Sequence, residues 1–192
     1  KNQIHKQSED KIPKIEKDYL IIKNINQKLY EGDYSIKLLD SKDKLLNEIP
    51  IKVKWFYKPK SLEDINFALE MIELIAVDEN LKSNFVSEIE KKKKLFNYWK
   101  SKDPTPLTSF NELMNEFYSR VDYAVDEFMS ISQRNGAKTD RGKIYIMHGK
   151  PDKVERVTNT DGKVIEQWFY YNPQRVFQFI DSRGDGNFKS MK

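Results

Sequence analysis

The chain has 192 residues, 38% hydrophobic and 12% aromatic, enough for one domain or two small ones with a buried core. It contains no cysteine, which excludes disulfides, thiol catalysis and cysteine-based zinc sites. The net charge of +4 is modest, and the basic surplus lies in residues 1–60, where 14 Lys and Arg stand against 9 Asp and Glu. Because these lysines are interspersed with acids and form no concentrated basic face, we do not expect nucleic acid as a partner.

The first residues of the chain are polar and contain no recognisable targeting signal. Residues 1–17 are rich in lysine and lack the apolar core of a signal peptide. We therefore expect an N-terminal portion upstream of Lys1 that carries a signal or a lipid anchor. No apolar run within the chain approaches the ~18 residues of a transmembrane helix, so no membrane span is predicted.

Alternating apolar residues predict a β-rich segment over residues 1–58. A short apolar run at residues 19–22 predicts one strand. Alternation then predicts strands at residues 34–38 and 49–55, and the polar residues 40–44 between them form a turn, so the two strands should make a hairpin.

Three strands cannot bury both faces of a sandwich, and a small isolated sheet is marginal in water. We interpret this segment as the end of an Ig-like sandwich whose first strands lie upstream. A small sheet that packs on the following helices is the alternative.

The sequence of residues 59–192 predicts helices followed by strands. Apolar residues at helical spacing predict three helices, over residues 61–76, 85–99 and 110–128. Ser61 is the expected N-cap of the first, and Ser109 with Glu112 the expected capping box of the third. Gly136 is predicted to end the third helix as a left-handed cap.

Period-2 alternation returns after the third helix. It predicts strands over residues 144–148, 153–157, 164–171 and 176–180, joined by turns at Asp161-Gly162 and Asn172-Pro173. Such short connections favour antiparallel pairing. The predicted fold class is therefore α+β: an N-terminal antiparallel β segment, followed by a domain of three helices and an antiparallel sheet.

A series of short motifs runs in order through the second half of the chain. They are the aromatic-rich residues 96–104 ending in Asp-Pro, Gly136-Ala137-Lys138-Thr139-Asp140, residues 141–146, Gly149-Lys150-Pro151-Asp152, residues 166–170 and residues 179–188. Together, over roughly residues 60–192, they resemble the GWxTD domain family of predicted bacterial envelope proteins and lipoproteins. Ala137 stands where the family signature has tryptophan.

The resemblance implies an extracytoplasmic location in a bacterial cell envelope. It also implies a β-rich region before the domain, which agrees with the interpretation of residues 19–55. It implies no chemistry, because the family has no established reaction.

Thr139, Asp140 and Arg141 form the densest polar cluster. In a structural interpretation, Asp140 caps backbone donors of a turn and Arg141 pairs with a carboxylate such as Asp103 or Glu112. In a functional interpretation, Arg141 binds an anion and Asp140 acts as a base. The sequence offers no convincing nucleophile as partner for that base, which favours the structural interpretation.

His148 shares a face of the predicted strand with Ile144 and Ile146, which favours a half-buried, hydrogen-bonded histidine over a catalytic one. Since His5 is the only other histidine, a multi-histidine metal site would need other ligands or another chain. There is no P-loop, dinucleotide glycine motif or Ser-His-Asp spacing, so we predict no cofactor, no metal and no catalytic residue. The candidate ligand-binding residues are Thr139, Asp140, Arg141 and His148.

The predicted strand over residues 164–171 carries four consecutive aromatic residues, which point to alternate faces of the sheet. One face must pack on the helices. The other, formed by either Trp168 and Tyr170 or Phe169 and Tyr171, is an exposed binding surface or is covered by further helices.

These observations predict a non-catalytic, extracytoplasmic protein-interaction or scaffolding module of a bacterial envelope protein. Its expected partner is another envelope protein, and self-association into a homo-oligomer is left open. The alternative is an enzyme or small-ligand-binding domain with a site around Asp140, Arg141 and His148.

Overall fold

The computed structural model describes residues 23, 25, 28–76 and 87–191. This part of the chain contains four helices and two antiparallel sheets, of two and four strands, which confirms the α+β class. The chain divides into two compact units, one formed by residues up to Phe56 with Thr105–Phe110, the other by Tyr57–Pro104 with the residues from Asn111 onward. The predicted strand at residues 19–22 lies outside the described residues.

The first unit contains the predicted hairpin. Strand β1 (Gly32–Leu39) pairs antiparallel with β2 (Leu45–Val53). The turn between them is held by Asp40, whose Oδ1 accepts hydrogen bonds from the backbone N–H groups of Lys42 at 2.8 Å and Lys44 at 2.9 Å. An Asp side chain that satisfies the backbone of its own turn explains why the hairpin forms here.

The hairpin is apolar on one face and charged on the other. Ile36 stands opposite Ile49 on the apolar face, whereas Lys37 and Glu48 form an ion pair of 3.6 Å on the other. Leu38 and Ile49 are each 53% exposed, so the apolar face is only partly covered. The sandwich interpretation of this segment stays a prediction.

The second unit contains all four helices. They are α1 (Ile65–Ile72), α2 (Glu88–Ser101), α3 (Glu112–Glu127) and α4 (Asp140–His148). Their N-caps are Asp64, Ser87, Asn111 and Thr139. The predicted caps Ser61 and Ser109 were therefore wrong. Ser61 lies instead in a short 3₁₀ turn, where its backbone N–H donates to Asp122 of α3 at 2.8 Å.

Tyr118 joins three of the helices in the core. This side chain of α3 is fully buried, and its hydroxyl donates to the backbone oxygen of Ala68 in α1 at 2.9 Å. The indole of Trp99 in α2 donates to the same hydroxyl at 3.5 Å. Because the buried hydroxyl is hydrogen-bonded, Tyr118 fixes how the helices meet without an unpaired polar group.

Helix α4 replaces the strand predicted at residues 144–148, so the described part of this domain contains four helices where three were predicted. The Thr139 side chain accepts a hydrogen bond from the N–H of Gly142 at 3.0 Å, which starts the helix. Gly149 stops it with a φ of 77°, and its N–H donates to the oxygen of Tyr145 at 2.7 Å. Capping at both ends outweighs the period-2 spacing of two isoleucines.

Gly136 is needed for close backbone packing and not as a left-handed cap. It lies in a 3₁₀ turn (Gly136–Lys138), outside the left-handed region. A Cβ on Gly136 would lie 2.2 Å from the oxygen of Ala124 in α3, and a Cβ on Gly142 would lie 2.0 Å from the oxygen of Gly136. The end of α3, the turn and the start of α4 are thus in direct backbone contact.

The predicted C-terminal meander is confirmed. Its strands, in the order in which they pair, are β3 (Lys153–Thr158), β4 (Val164–Tyr171), β5 (Gln174–Asp181) and β6 (Lys189–Ser190). The inner face of the sheet packs on the helices through Trp168 and Phe179, which are 2% and 0% exposed. Within the described residues, no helix is both long and apolar enough to cross a membrane.

Candidate functional site: a buried arginine and glutamate beside a cavity

Thr139 and Asp140 serve the local fold. Besides capping α4, the buried Thr139 hydroxyl donates to the oxygen of Gly136 at 2.7 Å. Asp140 Oδ2 accepts a hydrogen bond from the N–H of Ser190 at 2.9 Å, which ties β6 to the start of α4. The side chains of Thr139 and Asp140, which were candidate ligand contacts, therefore form hydrogen bonds within the protein.

Arg141 is buried against a carboxylate, although not one of those suggested by the sequence. Its Nη1 lies 3.3 Å from Oε1 of Glu166, on β4, and neither Asp103 nor Glu112 is its ion-pair partner. The two residues are 8% and 2% exposed. A pair this deeply buried needs further hydrogen bonds to offset the loss of hydration.

Glu166 receives those further hydrogen bonds. Nε of Arg156 donates to its Oε2 at 2.6 Å, and the indole of Trp168 donates to its Oε1 at 2.7 Å. Burial by itself would raise the pKa of Glu166, but the hydrogen bonds from Arg156 and Trp168 and the charge of Arg141 outweigh it and lower that pKa. Glu166 is therefore ionised at neutral pH.

The guanidinium of Arg141 has three other neighbours. Its Nη2 donates to the oxygen of Gly186 at 3.1 Å, and its centre lies 4.1 Å from the ring of Phe188 and 5.5 Å from that of Phe128. Its buried Nε–H has no hydrogen-bond partner within the described residues. Burial lowers the pKa of Arg141 and Glu166 opposes that effect, so the group remains a cation.

A cavity of about 390 Å³ lies beside this cluster, over the inner face of β3 and β4. Its lining combines five aromatic side chains with five charged ones. The lining residues are Tyr123, Glu127, Phe128, Arg141, Tyr145, Lys150, Pro151, Val154, Arg156, Glu166, Trp168 and Phe188. The volume falls in the range of small-molecule sites.

His148 lies at the C-terminal end of α4 and does not line this cavity. Its ring stacks on Phe177 with the centroids 5.0 Å apart and lies 5.7 Å from the ring of Tyr170. Burial lowers its pKa, and the charges of Arg175 and Arg120 lower it further. The half-burial expected from the sequence agrees with this placement, whereas the expected hydrogen bond of His148 is absent among the described residues.

Of the four candidate residues, only Arg141 lines the cavity. The ligand-binding role of Thr139, Asp140 and His148 stays a prediction. Sequence reasoning missed Glu166, Arg156 and Trp168 as members of the cluster. One signal was present in the sequence. Glu166 lies two residues before Trp168 in the predicted strand, so both side chains share one face, and a carboxylate on a buried face requires a partner. Within the described residues, no group of three or more His, Asp or Glu side chains is placed to hold a metal ion.

The comparison with known families agrees with the motifs. The sequence model of the GWxTD domain matches residues 40–189, so it begins within the hairpin unit and not near residue 60. No curated protein and no solved structure matches the chain. Ala137, at the position of the signature tryptophan, is 0% exposed. That signature position therefore belongs to the core and not to a ligand-contacting surface.

Proposed function

Since the chain belongs to the GWxTD domain family, we propose that it is a non-catalytic protein-interaction or scaffolding module of a bacterial envelope protein. The observation that carries the proposal is the uncovered side of the C-terminal sheet, here called the outer face. It consists of the residues of β3, β4 and β5 that alternate with those packed on the helices. They are Lys153, Glu155, Val157, Ile165, Gln167, Phe169, Tyr171, Gln174, Val176, Gln178 and Ile180.

None of these outer-face residues is buried. Tyr171 is 63% exposed and Val176 is 50% exposed, so this side of the sheet is open to solvent. Trp168 and Tyr170 form the packed side, which leaves Phe169 and Tyr171 on the outer face. A sheet with one solvated side would ordinarily carry polar residues there.

The outer face instead carries apolar rows across the strands. In one row Val157 pairs with Ile165, which pairs with Ile180. In another, Phe169 pairs with Val176. Gln167 and Gln178 pair between these rows. On the edge strand β3, Glu155 stands beside Gln167 and forms an ion pair with Lys153, so the charges of this face lie at its β3 edge. The part formed by β4 and β5 carries apolar rows and neutral amides, which resembles the centre of protein interfaces, where charged residues are depleted.

The test is site-specific photo-crosslinking in cells that produce the full-length protein. A photoreactive phenylalanine analogue at position 171 is expected to give a discrete adduct, and Val176→Glu is expected to abolish it because a charge enters the interface. The mass of the adduct distinguishes a second copy of the chain from another envelope protein.

The matched control is Ile131→Glu, since Ile131 is 74% exposed and lies outside the sheet. This variant should leave the adduct unchanged. No adduct from position 171, or equal loss in both variants, would contradict the proposal.

The extracytoplasmic location rests on the family resemblance and belongs to the same proposal. The test is a protease-protection experiment. Intact cells and cells whose outer membrane has been permeabilised are treated with protease, and the protein is then detected with an antibody. Degradation only after lysis of the inner membrane would show a cytoplasmic protein and contradict it.

A second candidate function, binding of a small ligand, is favoured by the cavity beside Arg141. The residues that line it place ionic and phenolic groups next to aromatic rings, which is the composition of many ligand sites.

A further inference from the structure

The cavity beside Arg141 has aromatic walls that are already arranged. Tyr123 of α3 and Tyr145 of α4 stack on each other with the ring centroids 4.6 Å apart and the planes 23° apart. Phe128 and Trp168 lie 5.4 Å apart, and Trp168 is 2% exposed. Phe128 is also buried, whereas Tyr123 is 47% exposed and is positioned by its stack on Tyr145. A planar ligand would therefore meet a surface that needs little reorganisation.

The charges of the lining favour an anion over a cation. Arg141, Lys150 and Arg156 are opposed by Glu127 and Glu166. The oxygens of Glu166 are already occupied by the two arginines and the Trp168 indole. Glu127 alone is left to face an incoming cation, which the three basic groups would repel.

The cavity also offers hydrogen-bond donors that the protein leaves unused. Within the described residues, Lys150 has no ion-pair partner, and Arg156 engages Glu166 through Nε alone. The hydroxyl groups of Tyr123 and Tyr145 form no hydrogen bond with another described residue. Burial raises the pKa of Tyr145, so its hydroxyl keeps its proton and can donate.

We propose that this cavity binds a small aromatic carboxylate, with the ring against the aromatic wall and the carboxylate received by Lys150 and Arg156. The aromatic side chains would pack on the ring of such a ligand, whereas the lysine and the arginine would form charge-assisted hydrogen bonds with its carboxylate. The inference rests on the second candidate function, ligand binding in this cavity, and names the class of ligand. The site lies on the inner face of the sheet, so its failure would leave the interaction function proposed for the outer face untouched.

The test uses three probes that share one ring and differ in charge: indole-3-acetate, indole-3-acetamide and tryptamine. Binding is followed by NMR of the tryptophan indole N–H signals. Trp168 lines the cavity, whereas Trp55 and Trp99 do not and serve as internal references. We expect only the Trp168 signal to shift to saturation, with the carboxylate binding at least about tenfold more tightly than the amide.

Lys150→Gln removes a cation from the lining without touching the buried cluster and should weaken binding of indole-3-acetate about tenfold. Arg156→Gln should do the same, but it also removes a hydrogen bond to Glu166. The control is Lys163→Gln, an exposed cation between β3 and β4, which should bind as the parent does. Thermal unfolding of each variant verifies that it is folded.

Binding of the amide or of tryptamine as tightly as the acid would overturn the proposal. So would equal shifts of all three indole signals, no shift at all, or unchanged affinity in Lys150→Gln. A tripeptide ending in tryptophan with a free carboxylate tests whether the natural ligand is a chain terminus. Tighter binding of either the peptide or indole-3-acetate supports the proposal and identifies the source of the carboxylate.

Discussion

At the scale of single residues, Glu166 is the group whose loss should cost most. Glu166→Gln keeps the shape but leaves the Arg141 cation buried without its counter-charge. Breaking a buried pair in this way costs about 3–5 kcal/mol in the free energy of unfolding. Urea denaturation followed by circular dichroism measures the loss.

Glu155→Gln is the matched control for this change. Glu155 lies on the same sheet and forms an ion pair of 2.6 Å with Lys153, but both side chains are about half exposed. Its loss should cost less than about 1 kcal/mol, because solvent screens the pair. Similar losses for both variants would show that the Arg141–Glu166 pair has no special role.

The lowered pKa of His148 gives a prediction of how the free energy of unfolding depends on pH. Because its pKa is lowered in the folded state, the unfolded chain binds a proton more readily. The contribution of His148 is therefore present above its ordinary pKa of about 6.5 and is lost as the pH falls through the folded-state pKa. The free energy of unfolding should therefore fall as the pH is lowered from about 7.5 through that ordinary value.

The variant His148→Phe keeps a ring to stack on Phe177 but cannot titrate. Its free energy of unfolding, measured in urea across the same range, should change less with pH than that of the parent. Parallel curves for the two proteins would assign the pH dependence to other groups.

The role of some of these residues could be predicted from the sequence, and that of others could not. The cluster Thr139-Asp140-Arg141 could be recognised as polar and structural because its members are adjacent. The partner Glu166 could not be identified, since it becomes a neighbour of Arg141 only when β4 packs on α4. The cavity was out of reach for the same reason, as its lining comes from two helices, two strands and the segments between and after them.

At the scale of elements, Gly142 decides how α3 and α4 are joined. Replacing a glycine inside a helix by alanine usually stabilises the helix by about 1 kcal/mol. In Gly142→Ala the new Cβ would lie 2.0 Å from the oxygen of Gly136, so the backbone must move. We expect a loss of at least about 2–3 kcal/mol in the free energy of unfolding, measured in urea.

The control for Gly142→Ala is Lys143→Ala, the exposed next residue of the same helix. Its effect should stay within about 0.5 kcal/mol of zero. A neutral or stabilising Gly142→Ala would mean that the two backbone segments can separate freely.

The elements also show which local signals are decisive. Strand β4 has the predicted bounds because period-2 alternation and the turns at both ends agree. Helix α4 was predicted as a strand because Ile144 and Ile146 are two residues apart. The stronger signal was the pair Thr139 and Gly149, a helix start and a helix stop at a suitable distance.

At the scale of the whole molecule, the two units should differ in local stability. The hairpin has two strands and a half-covered apolar face, whereas β4 lies between two strands and has Trp168 in the core. Two-stranded sheets are marginal by themselves. Amide hydrogens of β4 should exchange roughly 100-fold more slowly than those of β1, because opening them requires more of the fold to unfold.

Hydrogen exchange of the intact chain, read by mass spectrometry of peptides, measures this difference. The peptide covering α3 serves as an internal control and should be protected like β4, since Val121 and Ala124 are fully buried. Equal protection of β1 and β4 would show that the hairpin is held by a larger structure, as the sandwich interpretation expects.

The backbone contacts of Gly136 and Gly142 have a consequence for how this segment can vary. Both glycines touch main-chain atoms, so the number of residues between them is set by the path of the chain and not by side chains. Ala137 shows that the side chain within that interval can differ from the family signature. An insertion or deletion of one residue there would shift the start of α4 past the end of α3. Among relatives that keep this junction, we expect substitutions in the interval but no alignment gaps.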